Sequence, residues 1–202
     1  MTVERSAERD AAIAALLPHV PFDGWTRRSL RMGLTDIGAS PDDADQLFPG
    51  CAADMIDASC DWADRRMEEG AAALDLPARL HERVRAVVAL RLQQNRPHKE
   101  AIRRALALLA LPGNARLAAA CTARTVDAIW HVAGDRSADF SWYTKRAILA
   151  AVYTATLLYW LRDTSEDDAA TLGFLDRRLT DVGRIGSIRR RTETALGRLR
   201  PA

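Results

Sequence analysis

Several kinds of chemistry are excluded by what the chain has little of. Its three cysteines, Cys51, Cys60 and Cys121, are odd in number, widely spaced and form no C-x-x-C. Such a set points to free thiols in a reducing compartment, the cytoplasm being the simplest. The four histidines, His19, His81, His98 and His131, fall on separate segments. His81-Glu82 opens like H-E-x-x-H, but Arg85 stands where the second ligand belongs, which excludes a zinc protease on spacing. No E-x-x-H pair of a di-iron bundle occurs, and Gly183 to Ser187 matches neither G-x-S-x-G nor a phosphate loop. No catalytic residue, metal site or cofactor is therefore expected. Met1 to Asp10 is polar with both charge signs, unlike a secretory or transit peptide. No stretch alternates with period two over strand length, so every periodic segment reads helical.

With 202 residues, one domain and an appended terminal element are expected, and roughly 70% of the unfolded surface can be buried. Hydrophobic residues make up 48% and charged ones 28%, the balance of an ordinary soluble protein. The net charge of +2 is unevenly spread. From Arg184 onward six arginines face one acid, Glu193, for +5, which leaves about −3 on the remainder. A basic tail on a near-neutral body suits an anionic surface.

Periodicity and end signals predict about ten helices. The first runs from about Ser6 to Leu17. Thr26 caps the second, which turns Leu30 and Leu34 inward before Gly38, and Ser40-Pro41 opens a short third. A fourth spans about Cys51 to Gly70, and Pro77 starts a fifth with Leu80, Val84, Val87 and Val88 as its stripe. Pro97 opens a sixth, with Ile102, Leu106 and Leu109 inward, and Asn114 caps a seventh that reaches about Val132. Thr164 or Ser165 caps a ninth, with Ala169, Leu172, Leu175, Leu179 and Val182 inward, and Ser187 to Leu199 can form a last.

The eighth helix is the centre of the chain. Between Arg146 and Arg162 lie fifteen residues without a formal charge, short of the roughly 20 a membrane span needs. A helix apolar nearly all round belongs in the middle of a bundle. At its start Trp142 and Tyr143 stand beside Lys145 and Arg146, with Arg146 one turn beyond Trp142. Aromatics next to arginine have hot-spot composition. On composition alone, an aromatic lid on the core flanked by solvated cations is the plainer reading.

A helix, a turn and a short helix closed by Leu47-Phe48-Pro49-Gly50 resemble the DNA-binding region of TetR-type regulators. The candidate recognition element, however, holds Asp42, Asp43 and Asp45, follows Asp36, and has no Lys or Arg between Arg31 and Arg65. Carboxylates repel a phosphate backbone, so DNA binding is not expected.

Three stretches make a more specific resemblance: His19-Val-Pro-Phe-Asp-Gly-Trp-Thr26; Leu47-Phe-Pro-Gly50; and Asp139-Phe-Ser-Trp-Tyr-Thr-Lys-Arg146 with the later Asp163-x-Ser165 and Thr171-x-x-Phe174-Leu175-x-x-Arg178. Together they resemble the coenzyme Q biosynthesis protein nine family, ubiquinone-pathway accessory proteins of TetR-like fold, from about residue 10 to 185. The resemblance implies an all-α, TetR-regulator-like bundle of about nine to ten helices that forms a homodimer, is not an enzyme, and binds an isoprenoid or quinone-like lipid. It also implies presentation of that lipid to the di-iron demethoxyubiquinone hydroxylase, through a patch matching Trp142, Tyr143 and Arg146.

The lipid contacts are expected on the eighth helix at Ile148, Val152, Tyr153, Thr156 and Tyr159, although the same residues can simply fill a core. Three regions are expected: a helix-turn-helix-like part at 1–50, a lipid-binding bundle at 51–183 and a basic amphipathic segment at 184–202. Family members carry a longer, more apolar C-terminal helix. The short, Arg-rich one here is expected to touch an anionic membrane through Ile188, Leu196, Leu199, Arg190 and Arg191, or else to dock on a dimer mate or fray. The expected place is the cytoplasm, peripheral to the inner face of the cell membrane. The rival function is a TetR-type repressor with an apolar effector pocket.

Overall fold

In a computed structural model of the chain, the described residues are 3–134 and 141–182. Ser6 stands in extended backbone and accepts from the Arg9 amide at 3.1 Å, which starts α1 (Ala7–Leu16). A one-turn helix, α2 (Val20–Asp23), follows where periodicity alone marked nothing. Gly24 leads to α3 (Arg27–Asp36), where Thr26 Oγ1 accepts from the Ser29 amide at 3.2 Å. These caps satisfy amide donors that the helix itself leaves without partners. A 3₁₀ turn at Pro41–Asp43 runs into α4 (Ala44–Leu47).

Packing explains one residue choice sharply. A Cβ on Gly33 would lie 2.7 Å from the backbone carbonyl of Ala15, so only glycine lets α3 cross α1 this closely. Behind that crossing Ile13, Leu16, Leu30, Leu34 and Phe48 are almost fully buried. Asp45 on α4 pairs with Arg27 and with Arg31 of α3.

The rest of the bundle comprises α5 (Cys51–Ala72), α6 (Leu80–Asn95), α7 (Lys99–Leu109), α8 (Ala115–Val132), α9 (Ser141–Trp160) and α10 (169–182). No strand occurs among the described residues. Two expected boundaries shift, and one expected cap makes a different bond. The fifth predicted helix begins at Leu80 rather than Pro77, and Pro97 sits in a 3₁₀ turn before α7. Asn114 holds the expected N-cap position of α8, but its side chain donates to the Leu108 carbonyl at 2.8 Å rather than bonding an α8 amide. A proline fixes one φ angle but does not by itself nucleate the α-turn that follows.

Two cores result. One joins α1, α3 and α4 to the first half of α5 and the inner face of α7, so it crosses residue 50. The other holds Met67 with Val84, Val88, Ile129, Leu149, Trp160 and Leu175 from four later helices. Within the first core the Trp25 indole donates to the Ala101 carbonyl at 3.0 Å and ties the segment before α3 to α7.

The eighth predicted helix, here α9, does not lie in the middle of the bundle. Leu149, Val152, Tyr153, Thr156 and Trp160 are buried, but Ile148, Leu158 and Tyr159 on other faces are exposed. Ala169 of α10 is exposed as well, while Thr171 and Leu175 turn inward.

Candidate functional site

α5 carries acids at 54, 57, 61 and 64, spacings that hold them near one helix face. Asp57, Asp61 and Asp64 are buried, and an arginine meets each. Asp57 takes Arg124 at 2.6 Å, Asp61 takes Arg5 at 2.7 Å, and Asp64 takes Arg91 at 2.6 Å. Arg91, itself only 4% exposed, also donates from Nε to the Tyr153 hydroxyl at 2.9 Å. Thr125 donates to Asp64 at 2.9 Å. This ladder joins α5, α6, α8 and α9 around one space.

That space is a cavity of about 300 Å³, at the small end of the range for ligand pockets. Its walls are mostly apolar: Trp25 and Ile56 on one side, Ile102, Leu106 and Leu109 of α7 on another, and Leu157 and Leu158 of α9. The polar groups on its wall include Arg91, Asn95, Tyr153, Cys60 and Cys121. Burial pushes the Tyr153 phenol above its ordinary pKa, so it stays protonated. Because its oxygen accepts from Arg91, its own proton remains to donate. A hydrogen bond from Cys121 lowers Cys60, and the same contact together with burial raises Cys121.

Leu106 and Leu158 also line an open groove of about 560 Å³ between α7, α9 and α10, rimmed by Arg103, Arg162, Tyr159 and Phe174. The Tyr159 and Phe174 rings stack at 4.7 Å. A third hollow of about 410 Å³ lies between α6, α8, α9 and α10.

The five residues expected to line one lipid site are divided among these spaces. Tyr153 faces the cavity, Tyr159 the groove, and Ile148 and Val152 the third hollow. Thr156 lines none of the three and donates to the Val152 carbonyl at 2.7 Å. Sequence reasoning missed Arg91, Cys60 and Cys121. The available signal was the acid spacing on α5, which demands buried cations opposite.

The aromatic–cationic cluster is assembled. The Arg146 guanidinium lies 3.7 Å from the Trp142 ring centre, and Tyr143 meets Trp142 edge-on at 4.7 Å. Arg146 Nε donates to Asp127 of α8 at 2.5 Å, which fixes the stack, while Tyr143 is 70% exposed. The expected membrane contacts Ile188, Leu196, Leu199, Arg190 and Arg191 lie outside the described residues. Among the described residues, no group of three His, Cys, Asp or Glu side chains is placed to hold a metal ion, and no single helix is long and apolar enough to cross a membrane.

The COQ9 family model matches residues 115–186, which include α9 and the Trp142 cluster. Ubiquinone biosynthesis protein coq9, mitochondrial, of Schizosaccharomyces pombe is 30% identical over 190 residues, covering 93% of this chain and 75% of the relative. This chain belongs to the COQ9 family. The COQ9 proteins of Homo sapiens and Rattus norvegicus are 34% and 33% identical over 182 residues, or 86% of this chain. This chain spans only 57% and 58% of those two relatives. Among solved structures, a TetR transcriptional regulator from Nitrosomonas europaea superposes with a TM-score of 0.69 at 22% identity, covering 87% of this chain and 97% of that one. The COQ9-family chain thus has a TetR-like fold.

Proposed function

We propose that this COQ9-family chain is a non-enzymatic accessory protein of ubiquinone biosynthesis. It holds an isoprenoid or quinone-like lipid and presents it to the di-iron demethoxyubiquinone hydroxylase at a membrane. The observation that carries this reading is the apolar cavity with a donor pair on its wall. Leucines and isoleucine suit a prenyl tail, and Tyr153, oriented by Arg91, can donate to a ring oxygen. The names of the relatives supply the pathway. Trp142, Tyr143 and Arg146 form the docking patch for the hydroxylase, in keeping with the exposure of Tyr143 and the stacking of Arg146 on the half-buried Trp142. The protein acts as a homodimer, peripheral to the membrane.

A repressor role fits less well. The TetR likeness concerns shape alone, and Asp45 engages Arg27 and Arg31, cations that a phosphate backbone would need. The test is quinone analysis of cells lacking the gene. Demethoxyubiquinone should accumulate while ubiquinone falls, with recovery on supplying the wild-type chain but not Trp142→Ala. An unchanged quinone pool would overturn the proposal.

A further inference from the structure

The outer face of α7 carries a pattern that the cavity alone does not require. Ala101, Ala105 and Leu109 turn inward, which leaves Arg103, Ala107 and Ala110 outward. On one flank Arg104 donates to the Pro21 carbonyl at 2.7 Å and fixes α2 beside α7. The next residue, Phe22, is 82% exposed, so the described protein gives the ring almost no packing. On the other flank Arg103 donates to the Leu161 carbonyl at 2.5 Å and rims the open groove together with Arg162 and Leu158. Leu111, 52% exposed, stands just past the C-terminal end of α7. One exposed apolar side chain is ordinary, but Phe22, Leu111 and Leu158, each more than half exposed around α7, give this side of the protein the apolar content of an interaction surface.

Charge and continuity select the occupant. Arg103, Arg104 and Arg162 face one acid, Glu100, at the α7 N-terminus, so the face is net positive. Aromatic and aliphatic anchors among arginines suit the interface of an anionic bilayer. The face also surrounds the way into the cavity, since Leu106 and Leu158 separate the cavity from the groove and Ala110 lines the cavity.

We propose that the outer face of α7, with Phe22 and Leu111 as apolar anchors and Arg103, Arg104 and Arg162 as cations, rests on an anionic lipid bilayer. The groove then opens onto the acyl region, and a lipid passes between Leu106 and Leu158 without crossing water. This contact is separate from any made by residues 184–202. It rests on the lipid-carrying function for its purpose only.

The test uses the full chain carrying Phe22→Trp with vesicles of phosphatidylcholine and phosphatidylglycerol bearing brominated acyl chains. The introduced indole should emit as a solvated one in buffer. On the vesicles it should shift to the blue and be quenched beyond the change seen in the wild-type chain. Phe22→Ser combined with Leu111→Ser should weaken vesicle affinity about tenfold, because each anchor is partly buried in the interface, with the thermal midpoint unchanged.

An indole indifferent to vesicles overturns the proposal, even if the chain still co-sediments with them. So does an indole already blue-shifted in buffer, since the ring would then be covered by protein. Loss of a dimer in the double variant with vesicle binding intact overturns it as well. Lipid extraction keeps the two readings apart: a vesicle-dependent indole with no co-purifying lipid removes the cavity function and leaves the docking face standing.

Discussion

Arg91→Met tests the buried ladder that shapes the cavity. Arg91 is 4% exposed and serves Asp64 at 2.6 Å and Tyr153 at 2.9 Å. Its removal strands the Asp64 carboxylate, 3% exposed, with the Thr125 hydroxyl at 2.9 Å and a more distant Arg124 at 3.7 Å. Breaking a buried pair from one side costs about 3–5 kcal/mol, because the remaining charge stays desolvated. For a protein of this size each kcal/mol moves the thermal midpoint by about 2–4 °C, so a fall of roughly 6–20 °C is expected. Urea unfolding should show the midpoint falling at unchanged slope. Adding Asp64→Leu removes the stranded charge and should restore most of the loss, since apolar groups of similar volume often replace buried pairs at little cost. Arg124 keeps Asp57 at 2.6 Å in that double variant. A single variant losing under about 1 kcal/mol, or a double variant no better than the single, would refute the reasoning.

Three further outcomes follow from the same geometry. Burial alone would raise Asp163, but hydrogen bonds from Ser165 and Thr171 prevail and hold it well below the usual carboxylate range. Its contribution is therefore full above the unfolded value near pH 4 and is lost as pH falls toward the folded one, so the acid limb of the stability profile should flatten in Asp163→Asn, and an unaltered limb contradicts this. Trp142→Ala should weaken binding to the hydroxylase by ~2 kcal/mol or more in calorimetry with little change in thermal midpoint, whereas equal loss of fold and binding would make Trp142 a core residue. A chain ending at Gly183 should co-sediment less with anionic vesicles than the full chain, and the difference should fade as salt shortens the Debye length; equal binding by both speaks against the tail as an anchor.

The helices other than the one-turn α2 were legible in the sequence because their signals are local. Ser6, Thr26 and Ser40 cap where their side chains reach the next amides, and Gly134, with φ of +75°, ends the turn after α8. The Trp142–Arg146 stack was legible for the same reason, one turn of helix bringing the two together. The burial of α9 was not. An all-round apolar composition fixes how much a helix can bury, but which faces find neighbours depends on α6, α8 and α10. The cavity lining failed to follow from one helix for a related reason: its polar wall comes from Arg91, Cys60, Cys121 and Tyr153, residues on four helices brought together by charge pairing across the interior. The α5 acids at 57, 61 and 64 gave half of that pairing, and the arginines that answer them lie 27 to 67 positions further on in the chain or near its start.

The central claim is that the cavity carries a lipid, and the most direct measurement is mass spectrometry of the purified full chain, native and after organic extraction. The wild-type chain should carry a co-purifying isoprenoid or quinone-like lipid. Ala118→Phe, which projects bulk from the cavity wall, should lower the amount bound while the helical signal is retained. A wild-type chain free of bound lipid, and unable to take up a prenylated quinone when one is supplied, would contradict it.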